Sequence, residues 1–251
     1  MSDVDLSSAQ YENHREAGEI LAQVREEAAE RVEVGVSHLE LAEWTEERIR
    51  ELGGEPAFPV NISIDEEAAH ATPSADDSST FGEEMINLDI GVHIDGWLAD
   101  TAITVDLSGH DDLAEAPEAA LDAALDLVEP GVETGEIGAA IEEVIDDYGY
   151  NPVVNLTGHG LGRWDQHTPP NIPNRAVSQS VELEAGDVVA VEPFATRWLD
   201  VDRPEMALRR LERQNVVHGY PVLKEDEGAL VSQKEHTVIV TEDGCEVTTR
   251  H

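Results

Sequence analysis

Two aspartates, Asp89 and Asp100, flank the dipeptide Asp95-Gly96 within an otherwise apolar stretch. Asp-Gly supplies the positive φ angles of a two-residue hairpin turn, so the stretch 85–105 predicts a β-hairpin. In the register that this turn sets, both aspartates lie on one face as diagonal neighbours, roughly 7–8 Å apart, and the other face is apolar. Such carboxylates could hold a metal ion, and they could equally be two solvated charges.

Three more ionisable residues stand beside apolar stretches. His159 lies where a predicted strand breaks into a glycine-rich turn, whose glycines we expect to approach a ligand closely. Glu192 ends one apolar strand and Glu235 begins another, and a carboxylate at the end of a buried strand needs a charge partner or a metal. With Asp89 and Asp100 they form a set of four carboxylates and one imidazole, which suits a pair of divalent first-row metal ions.

The chain is strongly acidic. It has 55 Asp or Glu against 15 Lys or Arg in 251 residues, for a net charge of −40. Because 40% of the residues are apolar and the acids are interleaved among them, we expect a charged coat on a folded body. The coat predicts a host with molar internal salt, where a Debye length of about 3 Å screens the self-repulsion. It argues against nucleic acid and anionic membranes as partners.

Other features of the sequence predict a cytoplasmic protein. Cys245 is the one cysteine, so no disulfide can form within the chain, which favours a reducing compartment. No stretch approaches the ~18–20 consecutive apolar residues that would span a bilayer, and the N-terminus lacks a signal-peptide pattern. The length fits a single domain.

Apolar residues at helical spacing predict two helices before the hairpin and two after it. The predicted helices cover 12–34, 38–52, 113–128 and 134–148, with a fifth at 202–214. Shorter apolar runs predict strands at 58–64, 153–162, 187–194, 229–232, 235–241 and 245–248. A shared layout of glycine, acid, apolar strand and acid at 82–89 and 186–192 suggests two pseudo-symmetric halves.

Several segments along nearly the whole chain resemble those of type II methionine aminopeptidases. They are Phe58-Pro59-Val60-Asn61, Ala68-Ala69-His70, 88–96, 99–102, Gly158-His159-Gly160, Glu192-Pro193-Phe194-Ala195, Tyr220-Pro221-Val222-Leu223 and Glu235-His236-Thr237. The order Asp, Asp, His, Glu, Glu belongs to the wider group of pita-bread metallopeptidases. The resemblance implies an α+β fold, with a pseudo-symmetric antiparallel sheet flanked by helices and two divalent metal ions (Co, Mn, Fe or Zn).

The resemblance also implies the role of each ligand. Asp100 and Glu235 would bridge the two ions, and Asp89 would complete one site. His159 and Glu192 would complete the other. The ions would lower the pKa of a shared water. Glu192 would take the proton of that water and deliver it to the departing amine.

Five more residues would act on the substrate. The resemblance implies that His70 and His167 are catalytic residues that hydrogen-bond the substrate, and that Phe58, Phe194 and Tyr220 line a methionine pocket. The implied activity is removal of the initiator methionine from nascent polypeptides, in the cytoplasm and at the ribosome, by a monomer.

One departure from the family is large. Type II enzymes carry several tens of residues between the segments that end here at Thr196 and begin at Arg197, and these residues are adjacent in this chain. We therefore expect one domain over 1–251, in which roughly 197–225 is the remnant of a helical insertion. Part of the pocket wall would be missing, and Gln166 stands where the family tends to be apolar. Both features predict relaxed methionine preference.

Two other functions stay open. A Xaa-Pro dipeptidase of the same fold would share all five ligands, and a non-catalytic binding protein would result if the shortening abolished activity. The type II segments weigh against the first, and the intact ligands weigh against the second.

Histidines outside this set have simpler interpretations. His93 and His236 are expected to be structural, since consecutive strand residues point to opposite faces and His236 therefore turns away from Glu235. The remaining histidines are expected at the surface: His14, His38, His110, His218 and His251.

Overall fold

The structure, a computed structural model, describes residues 5–196, 222–224 and 228–250. Within these ranges the chain forms four helices and fourteen strands. The helices are α1 (Ala9–Ala29), α2 (His38–Glu51), α3 (Asp111–Leu125) and α4 (Thr134–Asp147). The strands are β1 (Glu55–Pro56), β2 (Asn61–Ile64), β3 (Glu67–Ala69), β4 (Met85–Ile94), β5 (Trp97–Asp106), β6 (Asn151–Pro152), β7 (Thr157–Gly162), β8 (Asp165–Pro173), β9 (Val188–Val191), β10 (Phe194–Thr196), β11 (Leu223–Lys224), β12 (Val231–Gln233), β13 (His236–Val240) and β14 (Cys245–Val247).

The predicted hairpin is confirmed as β4–β5. Its turn residues, Asp95 and Gly96, have φ angles of 50° and 84°, as a type I′ turn requires. Asp89 pairs with Ala102, and Gly91 pairs with Asp100, which is the register obtained by counting from the turn. The apolar face of the hairpin joins residues of α1 and α2 in one buried cluster.

Two antiparallel sheets carry the fold. In the first, β4 lies between β5 on one side and β1 and β2 on the other. The second has the order β14-β13-β9-β7-β8, and a smaller sheet has the order β12-β10-β6. Helices α1 and α2 share a core with the first sheet, and α3 and α4 share one with the second. Each half thus packs a helix pair on a sheet, the arrangement expected of a pseudo-symmetric fold.

The sheets meet where β5 runs beside the start of β13. The backbone N–H of Glu235 donates to the carbonyl of Ala102 at 3.1 Å, and Ile103 forms an isolated bridge with Lys234. This contact places Asp100 and Glu235, which are distant in sequence, on neighbouring strands.

Strand β8 was not predicted from the sequence. It contains His167, Pro169 and Pro170, and proline is uncommon inside a strand because it has no backbone N–H to donate. The strand lies at the edge of its sheet and has no neighbour on its outer side, so a missing backbone N–H on that side breaks no strand pairing. Its pairing with β7 shifts register twice, which accommodates the prolines.

The expectation that His14 lies at the surface is wrong. His14 is 1% exposed, and its Nδ1 lies 2.6 Å from the carbonyl oxygen of Leu98. It falls at helical spacing with Ala17 and Leu21, on the face of α1 that packs against the hairpin. The predicted helix at 202–214, His218 and His251 lie outside the described residues.

Gly158 and Gly160 approach other strands rather than a ligand, which corrects the expectation from sequence. A Cβ atom on Gly158 would lie 2.3 Å from the backbone oxygen of Ala190, and one on Gly160 would lie 2.4 Å from that of Pro169. The glycines therefore let β7 pack closely between its neighbours, with His159 between them.

Gly158→Ala is expected to destabilise the protein by about 2 kcal/mol, since an inserted methyl group in a packed interior typically costs about 1–3 kcal/mol. Urea unfolding with the metal-free protein measures the change. Gly82→Ala is the matched control, because its nearest neighbour is the flexible side chain of Glu84 at 3.4 Å. Equal unfolding midpoints for the two variants would contradict the packing argument.

Among the described residues, no helix has both the length and the apolar composition needed to cross a bilayer.

Candidate active site

A cavity of about 200 Å³ opens where the two sheets meet. All five predicted metal ligands line it, together with four other residues predicted or suspected to contact substrate. The ligands are Asp89, Asp100, His159, Glu192 and Glu235, and the others are His70, Gln166, His167 and Phe194. The chain therefore brings these residues together from five strands and from the loops after β3, β9 and β12.

The carboxylates and the imidazole face one another at short range. His159 Nε2 lies 3.4 Å from Glu192 Oε1 and 4.0 Å from Asp100 Oδ2. One ligand atom each from Asp100, His159 and Glu235 fall within 4.8 Å of one another. This spacing is short enough for one cation to contact all three side chains.

Hydrogen bonds orient part of the cluster and leave part of it unpaired. Asn61 donates to Asp89 Oδ2 at 3.2 Å, and Gln233 donates to Glu235 Oε2 at 3.4 Å. One oxygen in each of three ligands is buried with no hydrogen-bond partner among the described residues: Asp89 Oδ1, Asp100 Oδ1 and Glu235 Oε1. Unpaired buried carboxylate oxygens are costly in any protein that does not supply a cation.

Burial raises the pKa of all four carboxyl groups. For Asp100 and Glu235 the pKa lies well above the ordinary value, first because burial disfavours the charged form and then because neighbouring carboxylates repel it. Burial likewise raises the pKa of Asp89, and it raises that of Glu192 together with the charge of Asp89. Each carboxylate of the cluster therefore disfavours ionisation of its neighbours, and positive charge in the cavity would relieve that repulsion.

His159 is set up as a neutral ligand. Burial, helped by the charge of His167, lowers its pKa to about 3. Its Nδ1 lies 3.3 Å from the carbonyl oxygen of Gly160, which only accepts, so Nδ1 carries the proton and Nε2 directs a lone pair at the carboxylates. A lone pair facing carboxylate oxygens is repulsive without a cation between them. The donor set therefore fits divalent metal ions.

The sequence pattern of Metallopeptidase family M24 matches residues 12–242 of the chain. The chain belongs to metallopeptidase family M24. A methionine aminopeptidase from Archaeoglobus fulgidus is 44% identical in an alignment that covers 94% of this chain and 97% of the relative. That alignment extends over 282 residues, more than the 251 of this chain, so the relative has residues without a counterpart here.

Solved structures share the M24 fold. The crystal structure of a methionine aminopeptidase from Thermotoga maritima matches with a TM-score of 0.85 at 23% identity, over 99% of this chain and 100% of that one. A prolidase from Pyrococcus furiosus matches with a TM-score of 0.74 at 22% identity, over 96% of this chain and 64% of the prolidase. The pita-bread fold predicted from the sequence is confirmed.

The histidines predicted to contact substrate lie at the cavity of this M24 chain. The ring of His167 meets that of His159 edge to face, with centroids 4.4 Å apart, and burial lowers the pKa of His167. His70 has a φ angle of +67°, which is uncommon for a residue with a side chain and often marks a functional site. Both histidines line the cavity, and His167 is in contact with the imidazole ligand.

Of the three residues predicted to line a methionine pocket, one lines the cavity, one does not, and one lies outside the described residues. Phe194 is buried at the cavity wall. Phe58 lies over Gly91, where a Cβ atom would come within 2.2 Å of its ring, and it is not among the residues that line the cavity. Tyr220 lies outside the described residues, as does most of 197–225. Their roles stay predictions.

Three amide side chains hydrogen-bond the metal ligands or the backbone beside them, and these contacts were not predicted from the sequence. Asn61 pairs directly with Asp89 across β2 and β4, and Gln233, the last residue of β12, lies two residues before Glu235. These positions could have been found by register and alternation. Asn174 donates to the carbonyls of Leu156 and Glu192 at 3.0 and 3.1 Å. No sequence pattern predicts that contact.

Proposed function

We propose that this protein removes the N-terminal methionine from polypeptides with two divalent metal ions held in its cavity. The observation that carries the proposal is the convergence of four carboxylates, two buried and two half-buried, and a neutral imidazole in one cavity. The 44% identity of this chain to the methionine aminopeptidase from Archaeoglobus fulgidus, over almost its whole length, supports the choice of substrate. The protein would act as a monomer in the cytoplasm, and its substrates would be nascent polypeptides at or near the ribosome.

The positions of the ligands support the roles that the resemblance to type II methionine aminopeptidases implies. Asp100 and Glu235 lie side by side where the sheets meet, and both have an unpaired oxygen, so they suit the bridging positions. Asp89, oriented by Asn61, would complete one site. His159 and Glu192, 3.4 Å apart, would complete the other. Bound divalent ions lower the pKa of water so that hydroxide is available at neutral pH.

Protein groups at the cavity would handle the proton and orient the peptide. Glu192 has a side chain 12% exposed at the cavity, so it can reach both water and substrate. It would accept the proton of the attacking water and return it to the departing amine. His70 and His167 would donate hydrogen bonds to the substrate, since both line the cavity that holds the metal ligands.

The wall of the cavity supports relaxed methionine preference. Its apolar members are Phe194, Leu156 and Ala69, whereas metal ligands, histidines and amide side chains, including Gln166, make up most of the rest. An apolar pocket selects methionine by contact, and replacing apolar wall by amide weakens that contact. We retain the single domain over 1–251, with 197–225 as the shortened insertion, as part of this proposal.

A peptide assay tests the function. Metal-free protein in molar KCl is supplied with Mn, Fe, Co or Zn and given Met-Ala-Ser, Leu-Ala-Ser or a Xaa-Pro dipeptide. We expect metal-dependent release of methionine from Met-Ala-Ser, with a kcat/KM no more than about 10-fold above that for Leu-Ala-Ser, the discrimination of a loosely formed apolar pocket. Strict methionine preference would contradict the relaxed pocket.

The same assay separates the alternatives. Faster cleavage of the Xaa-Pro dipeptide would make the protein a prolidase, whose fold it shares. No hydrolysis with any of the four metals, in protein that is folded by circular dichroism, would favour a non-catalytic binding protein.

A further inference from the structure

A single arginine is buried behind the candidate metal ligands. Arg25 of α1 is 4% exposed, and each other lysine or arginine that the structure describes is partly or fully exposed. Glu26, its one carboxylate partner within salt-bridge distance, has a side chain 54% exposed. Because burying a guanidinium costs several kcal/mol, such a residue calls for an explanation beyond helix packing.

Arg25 reaches the strand residues that follow two of the ligands. Its Nη1 lies 3.0 Å from Thr101 Oγ1 and 3.2 Å from His236 Nδ1. Thr101 follows Asp100 and His236 follows Glu235, and successive strand residues point to opposite faces. The carboxylates therefore face the cavity while their neighbours face the guanidinium.

The contact with Thr101 is relayed to the backbone of Glu235. An arginine only donates, so Thr101 Oγ1 accepts from Arg25 and directs its own hydrogen to another acceptor. That acceptor is the carbonyl oxygen of Glu235, at 2.6 Å. The positive charge polarises the hydroxyl and strengthens the second hydrogen bond. The start of β13 is thereby fixed against β5.

A reciprocal contact fixes Asp100. The hydroxyl of Thr237 donates to the carbonyl oxygen of Asp100 and accepts from its backbone N–H, both at 2.8 Å. Arg25 Nη1 also donates to the carbonyl oxygen of Thr249 at 3.1 Å, and Thr249 Oγ1 accepts from the backbone N–H of Thr237. The guanidinium thus ties together the segments that carry both carboxylates.

We propose that Arg25 is a positioning residue for the metal site, which holds the carboxylates of Asp100 and Glu235 at metal-binding distance through Thr101 and the backbone of β13. The proposal rests on the proposed function of the cavity. Arg25 touches neither the cavity nor the substrate, and its effect is exerted through the strands that carry the ligands.

Arg15 provides a control on the same helix. Its guanidinium contacts both carboxylate oxygens of Glu246 on β14, at 2.8 to 3.0 Å. Arg15 therefore anchors α1 to the second sheet as Arg25 does, but away from the cavity. Losing it costs stability without disturbing Asp100 or Glu235.

The test measures Mn²⁺ affinity by calorimetry on metal-stripped wild type, Arg25→Met, Arg25→Lys, Thr101→Val and Arg15→Met, with unfolding temperatures and peptide kinetics alongside. We expect Arg25→Met to bind Mn²⁺ about 10- to 100-fold more weakly, the range for groups that support metal ligands, and to lower kcat with little change in KM. Arg25→Lys should recover part of the affinity. Arg15→Met should keep wild-type affinity.

Thr101→Val removes the relay without removing the charge, so it should weaken Mn²⁺ binding similarly, and the double variant with Arg25→Met should be little weaker than either. If Arg25→Met does not fold, Thr101→Val carries the test. Wild-type Mn²⁺ affinity in Arg25→Met or Thr101→Val would overturn the positioning role. A wild type that binds no Mn²⁺ would overturn the proposed function itself, and the positioning role with it.

Discussion

Asp100→Asn should lower kcat/KM for Met-Ala-Ser by about 10³-fold or more, since several kcal/mol of catalysis depend on holding the metal ions and each 1.36 kcal/mol is a factor of ten. Asp100 has one oxygen 4.0 Å from His159 Nε2, and its other oxygen has no hydrogen-bond partner among the described residues. An amide of the same shape supplies a neutral oxygen to one ion and cannot bridge two.

The same substitution should have the opposite effect on the stability of the metal-free protein. Burial and the charges of Asp89 and Glu192 raise the pKa of Asp100, so its ionised form is disfavoured in the folded state. Replacing it with a neutral amide removes that repulsion. The metal-free variant should therefore unfold at a higher temperature than metal-free wild type at pH 8, although it has lost activity.

Asp95→Asn is the matched control for Asp100→Asn. Asp95 lies on the same hairpin but in its exposed turn, where its carboxylate pairs with Arg163 at the surface. Asparagine also accepts the positive φ of that position. The control should keep activity within about twofold, as expected for the loss of an exposed ion pair. Turnover by Asp100→Asn close to that of wild type would remove the basis of the peptidase proposal.

Local sequence information predicts the parts of this fold that neighbouring residues determine. Asp95-Gly96 sets a turn, the turn sets a register, and the register places Asp89 and Asp100 on one face as observed. The four described helices were predicted with ends a few residues from those observed, and Ser37 caps α2 by accepting from the backbone N–H of Glu40. Each of these inferences uses contacts close in sequence.

Contacts between residues that are distant in the sequence could not be predicted from a single sequence. The pairing of β5 with the start of β13 depends on how two sheets pack, and no residue pattern specifies it. For the same reason the buried position of His14, the contact between Arg25 and Thr101, and the clamp by Asn174 were not predicted. Grouping the five metal ligands came from their residue types and order, together with the resemblance to a family.

Adding Mn²⁺ to the metal-free protein should raise its unfolding temperature, and by more at pH 8 than at pH 5. The pKa values of Asp100, Glu192 and Glu235 are raised in the folded state, so these groups keep protons that the unfolded chain releases above pH ~4. Their stabilising contribution is present at low pH and is lost as the pH rises through the raised pKa values. At pH 8 the metal-free site therefore carries repulsion that a cation relieves.

Proton competition acts in the same direction. Metal ligands must be deprotonated, so the carboxyl protons held at pH 5 must be displaced before Mn²⁺ binds, whereas fewer remain at pH 8. His159, whose pKa is lowered to about 3, is neutral in the folded state at both pH values and adds no competition. With free Mn²⁺ at about 100-fold over its Kd, each site adds about 2.7 kcal/mol, or roughly 5–10 °C for a chain of this size.

Differential scanning calorimetry at the two pH values, in molar KCl throughout, measures the shift. Asp100→Asn serves as the comparison, because it removes one titrating carboxyl and weakens the site, so its temperature shift should be smaller and should change less with pH. Equal shifts at pH 5 and pH 8 in wild type would mean that the carboxylates are already ionised without metal. In that case burial and the neighbouring carboxylates would not raise the pKa values of Asp100, Glu192 and Glu235 in the metal-free protein.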